Sequence, residues 1–124
     1  MLAKPTVLSA AIVMTLTAPA LAAGDVAHGE TVFQRCAICH SLAAGDNGIG
    51  PSLHDIVGSK AGAVPGYNYS TAMASSGIVW DEAALKKFLA DPEAAVPGTK
   101  MRSGAVPNPQ AADDLIAYLK QSAK

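Results

Sequence analysis

Two thiols and an imidazole lie within five consecutive residues, Cys36-Ala37-Ile38-Cys39-His40. The pattern C-x-x-C-H is the attachment signature of c-type haem, because two cysteines on one helical turn can reach the two vinyl groups of the porphyrin. The imidazole that follows then points at the iron. Cys36 and Cys39 are the only cysteines in the chain, so we expect two thioether bonds, with His40 as the proximal iron ligand.

Two other chemistries also use a C-x-x-C pair, and both stay open at this point. A thioredoxin-like dithiol enzyme places the pair in a βαβ unit, whereas residues 25–35 contain no alternating β-branched run. Half of a zinc site would need two more ligands from a second Cys or His pair. The remaining histidines, His28 and His54, do not form such a pair, and we expect both to be solvated surface residues.

The beginning of the chain is typical of an export signal. Lys4 provides a positive charge, residues 7–16 are mostly apolar, and Ala20-Leu21-Ala22 fits the small-x-small rule for cleavage. A retained membrane anchor is the alternative, but the apolar run is short beside the roughly 20 residues of a membrane helix. We therefore expect a cleaved signal peptide over residues 1–22, with cleavage after Ala22 or Ala23, and one domain over residues 23–124.

The charge of the chain limits the partners it could bind. Removal of the signal takes away Lys4 and no acidic residue, which leaves eight basic residues against ten acidic ones and a formal charge of −2. Basic runs and aromatic residues interleaved with Lys or Arg are both missing from the sequence, so a nucleic-acid partner is not expected. The remaining domain has a small core, to which a bound haem would add a large apolar body.

A second stretch whose residues could bind a cofactor is Pro97-Gly98-Thr99-Lys100-Met101. A c-type haem with a second protein ligand commonly takes a methionine sulfur, which raises the reduction potential. Outside the signal the chain has only Met73 and Met101. Met73 has apolar neighbours at helical spacing and is better explained as core packing. Met101 lies in a Pro/Gly loop without apolar periodicity, so we favour Met101 as the ligand.

Apolar periodicity predicts the elements that position these residues. We predict helices over residues 25–39, 70–76, 81–90 and 108–120. Gly29 is unfavourable inside a helix by about 1 kcal/mol relative to Ala, which makes sense if another helix crosses there at close range. We therefore expect the last helix to cross the first at Gly29 and Phe33, and Pro92 to end the third helix.

The loops between these helices contain residues that suit a cofactor. Pro51 has a free carbonyl that can accept the second ring N–H of His40, a common way of orienting a metal-bound histidine. Residues 57–70 form a long Gly- and Pro-rich loop, and loops of this length usually have a function. Tyr69 and Trp80 carry polar groups that need partners when they are buried, and haem propionates could provide them.

Taken in order along the chain, these stretches resemble class I cytochrome c. The resemblance covers essentially the whole chain after the signal. It rests on Gly24-Asp25-Val26 with Gly29 and Phe33, the C-x-x-C-H motif, Gly50-Pro51-Ser52-Leu53-His54, Pro65-Gly66-Tyr67-Asn68-Tyr69-Ser70, Gly77-Ile78-Val79-Trp80, Pro97-Gly98-Thr99-Lys100-Met101 and Asp114-Leu115-Ile116-Ala117-Tyr118-Leu119-Lys120. C-x-x-C-H alone is moderately specific, whereas the ordered set is very specific.

The resemblance implies an all-α fold of three to five helices and long loops around one covalent haem c, with the first and last helices crossing. It implies His40 and Met101 as axial ligands and Pro51 as the residue that holds the His40 ring. It also implies that Tyr69, Trp80 and Thr99 hydrogen-bond the propionate region or its surroundings. Haem attachment in this family takes place outside the cytoplasmic membrane, which agrees with the export signal and predicts a periplasmic location.

Three positions differ from the pattern of the family. Ser59 replaces an arginine that usually lies near the propionates, and Phe88 replaces a tyrosine whose hydroxyl would point at the methionine sulfur. Ser103 stands where an aromatic residue often covers the haem edge. These differences affect the expected reduction potential and not the expected fold.

The implied activity is one-electron transfer, without catalysis, by a monomer. A donor such as a membrane cytochrome complex or a periplasmic dehydrogenase and an acceptor such as an oxidase or a reaction centre would fit. Electrons would leave near Cys39 and Lys100, where a basic docking face could be formed by Arg35, Lys86, Lys87, Lys100 and Arg102. The alternatives are an exported thiol–disulfide oxidoreductase and a haem-based sensor in which a small molecule displaces Met101.

Overall fold

The computed structural model describes residues 2–15 and 24–124, and its regular structure is helical. Five helices occur: α1 (Val26–Phe33), α2 (Thr71–Ala74), α3 (Glu82–Ala90), α4 (Pro92–Ala95) and α5 (Pro109–Ser122). The only β-type pairing in the described ranges is an isolated antiparallel bridge between Lys60 and Val79. The predicted all-α class and the helix number are confirmed.

A polar side chain begins each helix by accepting backbone N–H groups that have no partner inside the helix. The residues that do this, in chain order, are Asp25, Ser70, Asp81, Asp91 and Asn108. Pro92 and Pro109 occupy the first turns of α4 and α5, where a missing N–H has no cost. Local sequence therefore fixes where the helices start.

One predicted helix boundary was wrong, and one short helix was not predicted. The first helix ends at Phe33 rather than at Cys39, and tighter turns follow, since the Cys36 N–H donates to the Phe33 carbonyl at 2.8 Å. Pro92 does end α3, but it also starts α4, which the sequence analysis did not predict. Asp91 serves both helices, because its side chain caps α4 while its own N–H closes the last turn of α3.

The first and last helices cross, as predicted, at Gly29. A Cβ atom placed on Gly29 would overlap the backbone carbonyl of Asp114 in α5, so only a glycine allows this approach. One turn along, the rings of Phe33 and Tyr118 lie 5.5 Å apart between centroids. The crossing is the largest contact between helices in the described chain, and it joins the two ends of the domain.

A single hydrophobic core lies inside the arrangement of helices. Helix α5 supplies Leu115, Ile116 and Leu119, each at most 5 % exposed. Helix α3 supplies Leu85, Phe88 and Leu89 from one face, as its periodicity predicted. The Trp80 ring packs on Phe88 with centroids 5.1 Å apart. Long loops complete the enclosure, and residues 34–70 contain no helix.

The expected signal peptide lies only partly within the described ranges. Residues 2–15 have no helix or strand, and their side chains are exposed. The predicted cleavage motif Ala20-Leu21-Ala22 lies outside the described residues. In the part of the chain that the structure describes, we found no helix with the length and apolar character needed to cross a membrane.

Candidate haem site

One cavity of about 640 Å³ collects the residues that the sequence singled out. Its volume falls within the range of about 300–1,000 Å³ that is typical of ligand and cofactor pockets. All eight predicted cofactor-binding residues line it: Cys36, Cys39, His40, Pro51, Tyr69, Trp80, Thr99 and Met101. Much of the remaining wall is aliphatic or aromatic and comes from α3, α5 and the loop before α2. The wall suits an apolar body that has a few polar groups at its edge.

Turns that follow α1 bring the two thiols and the imidazole together. The Cys39 N–H donates to the Cys36 carbonyl at 3.1 Å, and the His40 N–H donates to the same carbonyl at 2.9 Å. Both cysteines are half-buried. The C-x-x-C-H segment therefore forms one compact turn whose three reactive side chains line the same cavity.

The His40 ring has a fixed orientation. Its Nδ1 lies 2.7 Å from the Pro51 carbonyl oxygen, which is the hydrogen bond expected from the sequence. The carbonyl can only accept, so Nδ1 carries the proton and Nε2 has a lone pair available to a metal. Gly50 lies against the ring, and a Cβ there would overlap imidazole atoms. The ring is thus held by a hydrogen bond on one edge and by close packing on another.

Burial raises the pKa of the Cys36 thiol, because the charged thiolate is disfavoured away from water. The nearby Arg35 opposes this effect and Cys39 adds to it. A dithiol enzyme needs a thiolate and usually lowers the pKa of its attacking cysteine. The environment of Cys36 therefore differs from that of a thioredoxin-like nucleophile.

Both candidate methionines line the cavity, so the cavity alone does not choose between them. Met73 belongs to the buried core with 9 % of its surface exposed, as expected for a packing residue, whereas Met101 is only partly buried. The Met101 N–H donates to the Thr99 hydroxyl at 3.2 Å, and this contact shapes the loop that presents Met101. Thr99 itself is buried.

Tyr69 and Trp80, two of the three residues expected near the propionates, lie on the cavity wall. The Tyr69 hydroxyl accepts a hydrogen bond from the Val64 N–H at 3.1 Å. Burial raises the pKa of Tyr69, partly offset by that bond, so the phenol stays protonated and keeps its proton for a further acceptor. Trp80 is 6 % exposed. A half-buried phenol and a buried indole on the same wall would suit anionic groups at a cofactor edge.

The other histidines lie away from the cavity. His28 is 53 % exposed at its side chain, but its Nδ1 lies 2.6 Å from the Asp114 carboxylate, a hydrogen bond that the surface assignment did not predict. His54 Nε2 lies 3.3 Å from the Asp55 carboxylate. In residues 2–15 and 24–124 no group of three or more His, Cys, Asp or Glu side chains could hold a metal ion. The zinc alternative thus has no support among them.

The expected basic face is only partly available. Lys86 pairs with Asp113 at 2.9 Å, and Arg102 pairs with Glu93 at 2.7 Å. The pKa of Arg102 is raised by this hydrogen-bonded carboxylate. Lys60, which the sequence analysis overlooked, lines the cavity. Its position directly after Ser59 was visible in the sequence, but its pairing with Val79 was not.

Of the three positions that differ from the resemblance, two line the cavity. Phe88 and Ser103 are among its lining residues. The Ser59 hydroxyl donates to the Ile56 carbonyl at 2.7 Å, so this side chain is used to close a turn. The cavity wall therefore lacks an arginine at residue 59 and a hydroxyl at residue 88.

Comparisons with known proteins show the family of the chain. The family model described as cytochrome c matches residues 26–123. A cytochrome c2 of Rhodomicrobium vannielii is 52 % identical over 104 residues, which cover 83 % of each chain. A cytochrome c2 of Blastochloris viridis is 46 % identical over 105 residues, covering 84 % of this chain and 82 % of that protein.

A solved structure gives the same result for the fold. Cytochrome cH from Methylobacterium extorquens superposes with a TM-score of 0.74 at 48 % identity, covering 79 % of this chain and 99 % of that one. The cavity with two thiols on one turn also fits a covalently attached cofactor. The chain therefore belongs to the class I cytochrome c family and is a haem c electron carrier, with Cys36 and Cys39 as its attachment residues.

Proposed function

We propose that this chain is a periplasmic one-electron carrier in which His40 and Met101 are the two axial ligands. The observation that carries the proposal is the convergence of Cys36, Cys39, His40 and Met101 on one cavity. When bound, the haem supplies the Fe(III)/Fe(II) couple. With both axial positions taken by the protein, substrates would have no open position at the iron, which fits a carrier rather than an enzyme.

The protein's own residues keep the site in one geometry. The Pro51 carbonyl orients His40 at 2.7 Å, and Thr99 shapes the loop that bears Met101 at 3.2 Å. Aliphatic and aromatic side chains on the cavity wall, such as Leu85 and Leu115, exclude water. With a haem bound, the apolar wall and the Met101 sulfur would favour its reduced form, and the contacts that hold His40 and Met101 would limit their own movement. The proposed exit near Cys39 and Lys100 is supported by the position of both residues on the wall.

The dithiol enzyme is less consistent with the structure than the carrier. Burial raises the pKa of Cys36, whereas a dithiol oxidoreductase usually lowers the pKa of its attacking cysteine. A dithiol role would also leave the His40–Pro51 contact and the large apolar cavity without a purpose.

The test is a visible and near-infrared spectrum of the purified protein, oxidised and then reduced. Sharp low-spin bands with a weak near-infrared Met–Fe(III) absorption are expected for the native chain. Met101→Ala should lose that absorption and lower the reduction potential, because a sulfur ligand stabilises the ferrous state. Met73→Leu is the matched control, since it keeps the volume of a core residue and should keep the near-infrared absorption.

Three outcomes would contradict parts of the proposal. Loss of the near-infrared band in Met73→Leu rather than in Met101→Ala would assign the ligand to Met73. A native spectrum without the band, with exogenous ligand bound at the iron, would favour the sensor. A colourless protein from a host that attaches haem would leave the dithiol enzyme.

We also propose the processing and partners that such a carrier requires. The signal peptide spans residues 1–22, and the exported domain spans residues 23–124 and acts as a monomer. Its donors and acceptors are redox proteins such as a membrane cytochrome complex, a periplasmic dehydrogenase, an oxidase or a reaction centre. The position of three cations on the cavity wall without an ion pair among the described residues, Arg35, Lys60 and Lys100, supports an acidic surface on these partners.

A further inference from the structure

An asparagine followed by a glycine lies in the loop between His40 and Pro51. Asn47-Gly48 is the only Asn-Gly pair in the sequence, with Asn47 half-buried and Gly48 exposed. Glycine has no Cβ to shield its own amide nitrogen, so that nitrogen reaches the side-chain carbonyl carbon of the preceding asparagine with little steric hindrance. This pair is therefore the position in the chain at which deamidation of a side chain is chemically easiest.

The folded protein engages each reacting group in a hydrogen bond. Asn47 Nδ2 donates to the Pro65 carbonyl at 3.0 Å, and Asn47 Oδ1 accepts from the Ser52 N–H at 2.9 Å. The Gly48 N–H donates to the Gly50 carbonyl at 3.0 Å. The nitrogen that would attack and the side chain that would be attacked are both fixed, so the reaction must wait until these bonds open.

A second hydrogen bond joins the same two loops. The Tyr67 hydroxyl donates to the Ile49 carbonyl at 2.8 Å, two residues further along each loop than the bond between Asn47 and Pro65. We call these two bonds, Asn47 to Pro65 and Tyr67 to Ile49, the loop clasp. Because Ile49 and Tyr67 line the haem cavity, the loop clasp closes two loops that form part of its wall.

The clasp is connected to His40 through one peptide group. Asn47 accepts a hydrogen bond from the N–H of the peptide unit that joins Pro51 and Ser52. The carbonyl of that same unit lies 2.7 Å from His40 Nδ1. A hydrogen bond to the N–H of a peptide unit polarises the unit and strengthens the bond that its carbonyl accepts. A chemical change at Asn47 therefore reaches His40 without direct contact.

We propose that Asn47 is a deamidation site that the loop clasp keeps closed, and that deamidation there loosens the wall of the haem cavity. The Gly48 amide nitrogen attacks the Asn47 side-chain carbonyl carbon, and the new C–N bond closes a succinimide ring. The side-chain nitrogen of Asn47 leaves as ammonia, taking the proton of the Gly48 amide. Water then opens the ring to aspartate or isoaspartate, and no atom is oxidised or reduced.

Neither product can maintain the clasp. A carboxylate has no N–H to donate, so the bond to the Pro65 carbonyl is lost and negative charge lies next to that carbonyl. Aspartate still accepts from the Ser52 N–H, whereas isoaspartate moves one carbon from the side chain into the backbone and displaces this contact too. The bond from Tyr67 then remains as the link between the loops, and a transient opening has become a permanent change.

Peptide mass mapping of the purified holoprotein during incubation at mildly alkaline pH tests the site. Asn47 in protein unfolded by guanidinium should deamidate at least about tenfold faster than in the native protein, because its hydrogen bonds no longer protect it. Gly48→Ala should slow the reaction in the unfolded chain, since a Cβ shields the attacking nitrogen. Asn68, which precedes Tyr69, is the internal control and should react more slowly than Asn47 in the unfolded chain.

Tyr67→Phe tests the clasp without altering the reacting pair. It removes one of the two bonds between the loops and should speed deamidation of Asn47 in the native protein by about fivefold. Tyr118→Phe removes a hydroxyl from a half-buried tyrosine of α5 and is the matched control. It should change the rate by less than about twofold.

Asn47→Asp reproduces one product and tests the consequence. Hydrogen–deuterium exchange in residues 57–70 should become about fivefold faster, because the bond to Pro65 is lost. The NMR resonance of His40 Nδ1–H should shift, because a carboxylate accepts more strongly than an amide from the shared peptide unit. Asn68→Asp adds the same charge at an exposed position, and it should change neither the exchange in residues 57–70 nor the His40 resonance.

Equal rates of deamidation in the native and unfolded protein would overturn the protective role of the clasp. Reaction of Asn47 no faster than that of Asn68 in the unfolded chain would overturn the site itself. Native exchange in residues 57–70 of Asn47→Asp would overturn the loosening of the wall. A purified protein without a haem spectrum would reject the proposed function alone, because the mass measurements at Asn47 do not depend on it.

Discussion

The carboxylate of Asp114 has three hydrogen-bond donors at the junction of the first and last helices. The Gln110 side chain donates at 2.9 Å and the Asp25 backbone N–H at 2.7 Å, while His28 Nδ1 lies at 2.6 Å. Asp114 is only 3 % exposed. Gln110 most strongly, then the Asp25 N–H and His28, lower the pKa of Asp114 below its usual value, against the opposing effect of burial.

The lowered pKa of Asp114 predicts that the folded protein loses stability in acid. A carboxyl whose pKa is lowered by folding stabilises the native state above the unfolded pKa of about 3.9, and this contribution is lost as the pH falls through the native pKa. Asp114→Asn should therefore be less stable at neutral pH and show a flatter pH profile below about pH 4. The measurement is the free energy of unfolding in guanidinium as a function of pH.

Gln110→Ala provides the intermediate case for the same measurement. Removing the strongest donor should move the acid-induced loss to higher pH without abolishing it. An Asp114→Asn profile that parallels the native profile below about pH 4 would show that other carboxyls control the acid transition.

Residue types predicted the candidate ligands, but not the contacts between distant residues. Cys36, Cys39 and His40 were singled out from local spacing, and Met101 was proposed from its loop. The His28–Asp114 pair joins residues 86 positions apart, so no local pattern could reveal it. The same is true of the pairing of Lys60 with Val79.

At the scale of elements, the crossing of α1 and α5 depends on one residue without a side chain. Gly29 is buried, and any Cβ there would overlap the Asp114 carbonyl. Glycine is less favourable than Ala in a helix by about 1 kcal/mol. Its missing side chain, however, allows the backbones of the two helices to pack closely. The contact is rigid because the overlapping atoms belong to the backbone of α5.

Gly29→Ala should therefore destabilise the protein despite the better helix propensity of alanine. Overpacking of this kind typically costs about 1–3 kcal/mol, measured as a lower free energy of unfolding in guanidinium. Glu30→Ala on the exposed face of α1 is the control and should change stability by less than about 0.5 kcal/mol. Equal stability of Gly29→Ala and the native protein would mean that the helices can move apart at no cost.

Helix positions were more predictable than helix ends. The stripe of Leu85, Phe88 and Leu89 identified α3, and the Asn108-Pro109 pair identified the start of α5, because these signals are local. The end of α1 was not predictable, since no glycine or proline follows Phe33 closely and the change to tighter turns accompanies the thiol-bearing segment. The short helix α4 was missed because Pro92 signals both a stop and a start.

At the scale of the whole molecule, positive charge is concentrated on the cavity wall, although Arg102 there pairs with Glu93. The cavity wall bears cations only, while acidic residues cap helices elsewhere, as Asp25, Asp81 and Asp91 do. The chain as a whole is weakly acidic, so its surface has a positive region beside the cavity and a negative remainder. Such a distribution orients an approaching charged partner before contact.

Cleavage of the proposed signal peptide is a further prediction about the whole chain. Expression with haem-attaching factors in a bacterium should give a periplasmic protein whose sequence begins at Ala23 or Gly24, since Ala20 and Ala22 satisfy the cleavage rule. Intact mass and N-terminal sequencing are the measurements. Ala22→Asp should leave the precursor uncut, and a native product that keeps residues 1–22 would contradict the assignment.

The pairing of α1 with α5 has a consequence for the order of folding. The hydrogen bond between the Asp25 N–H and Asp114 joins residues 89 positions apart. The contact between α1 and α5 can therefore form only after nearly all of the chain has been synthesised. Closing so long a loop carries an entropic cost that rises only slowly with its length, but it delays assembly relative to local contacts. Until α5 arrives, the segment with Cys36 and Cys39 has no completed core to enclose it. The thiols thus stay accessible for covalent attachment during the interval before the domain closes around its cofactor.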